Sequence, residues 1–154
     1  MRIITLSEHP ASLNTVCTWI HQEFIDPDRF TLQQLTARFR SMHPDRIPLC
    51  LVALEEGQCV GTVSLFTGDL PARRDLTPWL AALYVPPEAR ERGVGRSLVG
   101  ECLQRAAAFG YKTVYLRTEH AAAFYRRLGW EVVSEEVTEE GLPTLVFQSP
   151  SSFV

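Results

Sequence analysis

The sequence predicts a mixed α/β (α+β) domain of about seven strands and four helices in the order β-α-α-β-β-β-α-β-α-β-β. Three observations predict it. The apolar spacing switches repeatedly between a helical and an extended period. "PLCLVALEEGQCVGTVSLF" reads as two β-rich runs around Glu56-Gly57, an antiparallel hairpin. "WLAALYV" is a nearly continuous apolar run of the kind that suits a strand buried on both faces, and it leads into an amphipathic helix.

Bulk properties bound the answer. The chain has 154 residues, enough to bury a real core, so one domain over 1–154 is expected. It is 45% hydrophobic and 21% charged, with formal net charge -3, which gives it no overall basic character to recruit nucleic acid. Any anion site must therefore be local. The four cysteines are scattered without a Cys-x-x-Cys pair, and "MRIITLSEHP" lacks the apolar core of a signal peptide. These features point to a reduced cytoplasm. The apolar runs are too short to span a bilayer, and His9, His21 and His43 show no metal-ligand spacing.

The elements follow in order. "RIITL" is a short strand, Ser7 a helix cap in prospect, and His9 to Phe24 a helix with Leu13, Val16, Cys17, Ile20 and Phe24 on one stripe. After "DPD", Thr31 can cap a second helix through about Met42. The hairpin comes next. The polar loop from Thr67 to Pro78 is longer than a simple connection requires and is a candidate for function. Pro86 and Pro87 stop the "WLAALYV" strand by removing backbone donors. From Val94, a helix places Leu98, Val99, Cys102, Leu103, Ala106 and Phe109 on one side, with Gly110 closing it. "KTVYLRT" is a strand and "AAAFYRRLG" a short helix closed by Gly129. "WEVVSEEV" and "TLVFQ" form an antiparallel pair ahead of a frayed tail, "PSSFV".

The stretch "ARERGVGRSLVG" carries the chemistry. The first four amides of a helix lack partners within it, and the macrodipole adds roughly half a positive charge there, so an anion such as phosphate binds readily. Gly93 and Gly95 let the backbone wrap closely around an oxyanion, and Arg90, Arg92 and Arg96 add charge at the rim. No third glycine follows, as a dinucleotide fold would need, and no Gly-Lys-Ser/Thr, as a P-loop would need.

Arg90-x-x-Gly93-x-Gly95, set between a buried strand and a helix, resembles the Arg/Gln-x-x-Gly-x-Gly/Ala signature of the GNAT superfamily of acyl-coenzyme A dependent N-acetyltransferases. "AAAFYRRLGW", with Ala121, Tyr125, Gly129 and Trp130, is similar to that family's second signature. The resemblance implies a mixed, mostly antiparallel central sheet whose fourth strand splays from the fifth to admit pantetheine. It implies cofactor contacts from Leu83, Tyr84 and Val85, from Arg90, Glu91, Arg92, Gly93, Val94, Gly95 and Arg96, and from Thr118 and Ala121. The cosubstrate it implies is acetyl-coenzyme A. The reaction would be direct attack of a neutral primary amine on the thioester, with Tyr125 giving its proton to the departing sulfur. An unperturbed tyrosine titrates near ~10 and is protonated at neutral pH. The same ring can serve as core packing beside Phe124 and Leu128.

This sequence departs from the family in two places. "PWLAALYV" offers no carboxylate for the base that some members carry there, which leaves Asp69, Asp75, Glu23, Glu119 and His120 as open alternatives. Thr118 stands where the family often has Asn, which weakens a side-chain contact with the cofactor. His120 either faces the pantetheine or caps the short helix. The acceptor is left open among small-molecule and peptide amines. "EFIDPD" supplies Glu23, Asp26 and Asp28, which could attract a cation or simply form a solvated turn. Members of the family are frequently homodimers, but no segment here is recognisable as an interface. A non-catalytic acyl-coenzyme A sensing module is the rival function; it would keep the glycine loop and need no acid.

Overall fold

The computed structural model describes residues 1–151. Its elements are strand β1 (Arg2–Thr5), helices α1 (Leu13–Phe24) and α2 (Leu32–Arg40), strands β2 (Leu49–Glu55), β3 (Gln58–Phe66) and β4 (Trp79–Tyr84), helix α3 (Val94–Ala108), strand β5 (Tyr115–Thr118), helix α4 (Ala122–Arg127), and strands β6 (Glu131–Val137) and β7 (Pro143–Gln148). This is the order that the periodicity predicts. Of the tail expected at 150–154, the last three residues lie outside the described residues. The strands form one sheet in the order β1-β2-β3-β4-β5-β7-β6. β1–β2, β5–β7 and β6–β7 pair antiparallel, whereas β4 and β5 run parallel, with Trp79 opposite Tyr115.

The chain divides into two compact units, one of Met1–Ser64 with Ala82–Glu101, the other of Leu65–Ala81 with the chain from Cys102 onward. In the first, β2 is buried from Leu49 to Leu54, and the Thr62 hydroxyl settles its polarity there by donating to the Leu51 carbonyl at 2.9 Å. Glu56 and Gly57 both take positive φ (51° and 79°), the two-residue turn whose twist matches a hairpin. Helix α1 begins at Leu13, with the first residue of its apolar stripe and four residues after the expected start at His9. A residue before proline is pushed out of the helical region, and His9, ahead of Pro10, sits at φ -139°, ψ 69°. Two 3₁₀ turns, Leu6–Glu8 and Pro10–Ser12, fill the approach instead. Ser7 caps nothing; its hydroxyl lies 3.1 Å from that of Thr5. Thr31 does cap α2: its oxygen accepts from the Gln34 amide at 3.1 Å, and Gln34 Oε1 accepts from the Thr31 amide at 2.9 Å.

The second unit is built around Trp79, which is fully buried beside Leu70 and Val146, with Leu76 and Tyr115 against them. The long loop from Thr67 to Pro78 is therefore partly structural. Leu70 pins it to the core. Arg73 ties it down through Asp75 at 2.9 Å, the Ser134 hydroxyl at 2.9 Å and Glu136 at 3.6 Å. Burial of the "WLAALYV" strand is complete for Trp79, Leu80 and Ala81, while Leu83 and Tyr84 are half-buried, so the expectation of two covered faces holds for its first half. Helix α3 ends as predicted: Gly110 takes φ 95°, its amide meets the Ala107 carbonyl and that of Tyr111 the Ala106 carbonyl, a Schellman close.

The reciprocal cap on α2 supports a helix of only nine residues. Thr31→Ala should lower stability by about 1 kcal/mol, read as a reduced urea midpoint with an unchanged slope.

Candidate active site

Helix α3 starts at a glycine. The Ser97 amide makes the first full turn by bonding the Gly93 carbonyl at 3.0 Å, which leaves the amides of Val94, Gly95 and Arg96 without an acceptor in the helix. Gly93 sits at φ 81°, and a Cβ there would meet nothing within 4 Å, so the glycine is required by its backbone angle and not by space. Glu91 also takes positive φ, 63°. Below the loop, Val94 and Leu98 are buried against Gly61 of β3. A Cβ on Gly61 would lie 2.9 Å from Leu98 Cδ1, 3.0 Å from Val94 Cγ1 and 3.3 Å from the Tyr84 carbonyl oxygen.

The three arginines of the loop differ in role. Arg90 donates from Nε to the Val85 carbonyl at 2.8 Å, and its guanidinium stands 5.9 Å from the centre of the Tyr84 ring, which itself lies 5.3 Å from that of Trp19. Arg90 is thus a brace for the end of β4. Arg92 pairs with Glu55 at 3.2 Å with half its side chain exposed, and Arg96 is exposed on the first turn of α3. Within β4, Ala82 takes φ 53°, a left-handed conformation that costs a non-glycine residue about 1–2 kcal/mol. Nothing in the local sequence signals it.

Tyr125 lies on α4 in the second unit. The turn before this helix is held by Thr118, whose hydroxyl accepts from the amides of His120 at 3.3 Å and Ala121 at 2.9 Å. Thr118 fixes the turn because a threonine oxygen reaches the amides two and three residues ahead, and α4 itself has no side-chain cap, so His120 does not take the capping role that was one of its two readings. His120 is exposed. The Tyr125 ring is 6% exposed, packed edge-on against Phe124 and Trp130 and tilted against Phe147. Burial pushes its phenol above the ordinary tyrosine range, with the nearby Cys102 adding to the effect. It is protonated at every physiological pH.

The strand register assigns faces. Leu116 stands opposite Phe147 and Arg117 opposite Val146, so Tyr125 lies on the Phe147 face of β5–β7 and Arg117 on the Val146 face with Trp79 and Leu70. There, Arg117 Nε is 3.4 Å from Asp69 Oδ2, and its Nη1 is 4.0 Å from Glu119 Oε2, which in turn accepts from the Thr144 hydroxyl at 2.6 Å. Asp69 and Glu119, two of the five candidate bases, are thereby brought together. Asp75 is committed to Arg73, which holds its carboxyl below the usual range. Glu23 is exposed at the end of α1. Arg117 was missed in the sequence, where a charged residue inside the strand "YLRT" was its one signal.

Known proteins resolve the family. The model of the acetyltransferase (GNAT) family matches residues 13–130. The chain belongs to the GNAT acetyltransferase family. Among curated proteins, this GNAT chain is 34% identical over 86 residues to the N-alpha-acetyltransferase MAK3 of Arabidopsis thaliana, a match covering 53% of the chain and 44% of the relative. It is 31% identical over 97 residues to the peptidyl-lysine N-acetyltransferase YiaC of Escherichia coli, covering 62% of the chain and 60% of the relative. The matches thus span about half the length of those relatives. Its fold resembles a crystal structure of aminoglycoside 6'-N-acetyltransferase complexed with coenzyme A, at TM-score 0.76 and 17% identity over 97% of this chain and 96% of that one.

Substitutions at two positions probe the backbone around the glycine loop in this GNAT domain. Gly61→Val should cost about 1–3 kcal/mol by forcing α3 off β3. Ala82→Val, a branched side chain in a left-handed conformation, should cost about 1–2 kcal/mol, whereas Ala82→Gly should cost nothing measurable. Urea unfolding of each variant checks both.

Proposed function

We infer that this chain is an N-acetyltransferase that moves an acetyl group from acetyl-coenzyme A to a primary amine of a small molecule or peptide. The observation that carries the reading is the mouth of α3. Three amides without a helical acceptor, a left-handed glycine with open space beside it and two outward arginines form a set that fits an anionic diphosphate. The names of the relatives, which act on protein N-termini, lysines and aminoglycosides, support an amine as acceptor.

In this reading the amides of Arg92 to Arg96 hold the diphosphate, with Arg90 and Glu91 shaping the loop. The backbone of Leu83, Tyr84 and Val85 lies along the pantetheine arm, and Thr118 and Ala121 contribute from the turn before α4. When bound, the cofactor supplies an activated acyl group as a thioester. What the protein adds is placement and protons. The Tyr125 hydroxyl donates a hydrogen bond to charge that develops on sulfur and hands over its proton.

Calorimetry with acetyl-coenzyme A, followed by thiol release with a panel of polyamines, aminoglycosides and peptides, tests the function. Binding with no release on any amine would favour the sensing module. Tyr125→Phe should reduce kcat at least tenfold and leave the dissociation constant of acetyl-coenzyme A within about twofold. An unchanged kcat would remove Tyr125 from the chemistry.

A further inference from the structure

The acetyl-transfer reading leaves one proton without an owner. An amine offered as its ammonium ion must lose two protons to become an amide N–H. One offsets the proton that sulfur takes up as the C–S bond breaks with its electron pair on sulfur. The other needs an acceptor, and β4 has no carboxylate to provide it. The second unit holds a polar group that nothing so far uses. Asp69, Arg117 and Glu119 meet with side chains 25%, 22% and 29% exposed, so the group is partly covered with Glu119 at its open edge.

Their position is the second observation. β4 and β5 run parallel at Trp79 and Tyr115, and the group lies where β5 ends. Thr118 ends β5, and Glu119 follows it. Leu70, buried beside Trp79 and Val146, sets the preceding Asp69 on the same face of the sheet. A plain structural ion pair would need one carboxylate for Arg117; here two share a single guanidinium, leaving an excess negative charge on a half-buried surface.

We propose that Asp69 is the proton acceptor for the attacking amine, set beside Arg117 and Glu119 at the carboxyl end of β5. This assignment rests on the acetyl-transfer reading. The ammonium proton passes first to Asp69 Oδ and from there to solvent; the freed lone pair then forms the N–C bond at the acyl carbon, and the second nitrogen proton is lost as the C–S bond breaks and sulfur takes up a proton. Arg117 is a positioning residue, and the Thr144 hydroxyl fixes Glu119.

The groups that act on Asp69 set its titration. Burial raises its carboxyl to about 6, Arg117 opposes that rise, and Glu119 with Glu139 from the β6–β7 turn adds to it. The sign follows. Below pH 6 Asp69 is protonated and cannot accept; above it the carboxylate is present, with a proton affinity about two powers of ten above that of an ordinary aspartate at 3.8. Activity should therefore be lost as pH falls through about 6.

The experiment is the pH profile of kcat/KM, measured by thiol release with the fastest acceptor of the amine panel, for wild type, Asp69→Asn, Asp69→Glu and Arg117→Gln. Wild type should show an acid limb centred near pH 6. Asp69→Asn should lose about 10²-fold or more at pH 7 and lose the limb, its rate rising instead towards the pKa of the amine. Asp69→Glu should keep a limb, showing that the carboxylate and not the fold is what Asn removes. Arg117→Gln should move the limb to higher pH. In the free protein, carboxyl NMR should show one aspartate titrating near pH 6 that disappears in Asp69→Asn. A wild-type enzyme that turns over while Asp69→Asn keeps both rate and limb overturns the assignment and leaves the acetyl-transfer reading intact. Wild type that releases no thiol with any amine overturns that reading, and the assignment falls with it.

Discussion

A helix can present bare amide protons at its mouth only if something other than its own first turn holds it in place. In this protein that support is the close approach of α3 to β3 at Gly61, where a single added carbon would press on Leu98, Val94 and the Tyr84 carbonyl. Burial of Val94 and Leu98 sets the axis of the helix, and Gly93 at φ 81° lets the chain enter without spending a side chain on the cap. A serine or aspartate cap would have satisfied one of the amides that this entry leaves without a partner in the helix. The glycine entry and the missing Cβ on β3 are therefore one arrangement, in which stability at the helix start is supplied from beneath so that the end can stay chemically open.

Element order and type were legible in the sequence because each depends on local rules. Gly110 and Gly129 stop their helices through left-handed backbones, Thr31 reads as a cap, to which the fold adds the reciprocal bond from Gln34, and Glu56-Gly57 as a tight turn. The start of α1 was placed too early, at His9, although its apolar stripe begins only at Leu13 and Pro10 pushes the residue before it out of the helical region. Ser7 was credited with a cap that its hydroxyl does not make, since no helix begins beside it.

The glycine loop was legible because its residues are contiguous. The Asp69–Arg117–Glu119–Thr144 group was not, because its members come from a loop, a strand, the turn after it and a second strand, and only the pairing of β5 with β7 brings them to one face. The left-handed Ala82 was equally hidden. Alanine carries no signal of strain, and its angle is imposed by tertiary structure.

In the proposed reaction, separation of the two proton tasks follows from the alternation along β5. Leu116 and Phe147 face the aromatic cluster around Tyr125, while Arg117 and Val146 face the loop that carries Asp69. A phenol kept protonated by hydrocarbon and a carboxylate poised by a shared guanidinium need opposite surroundings, and one strand supplies both by pointing successive side chains to opposite sides. Neither environment could be created on the other face without cost. A carboxylate among Phe124, Trp130 and Phe147 would be driven neutral and lose its use as an acceptor, while a phenol beside Arg117 would be drawn towards ionisation and lose its use as a donor. The two-residue period of a β-strand is thus enough to hold groups of opposite proton demand within one small domain.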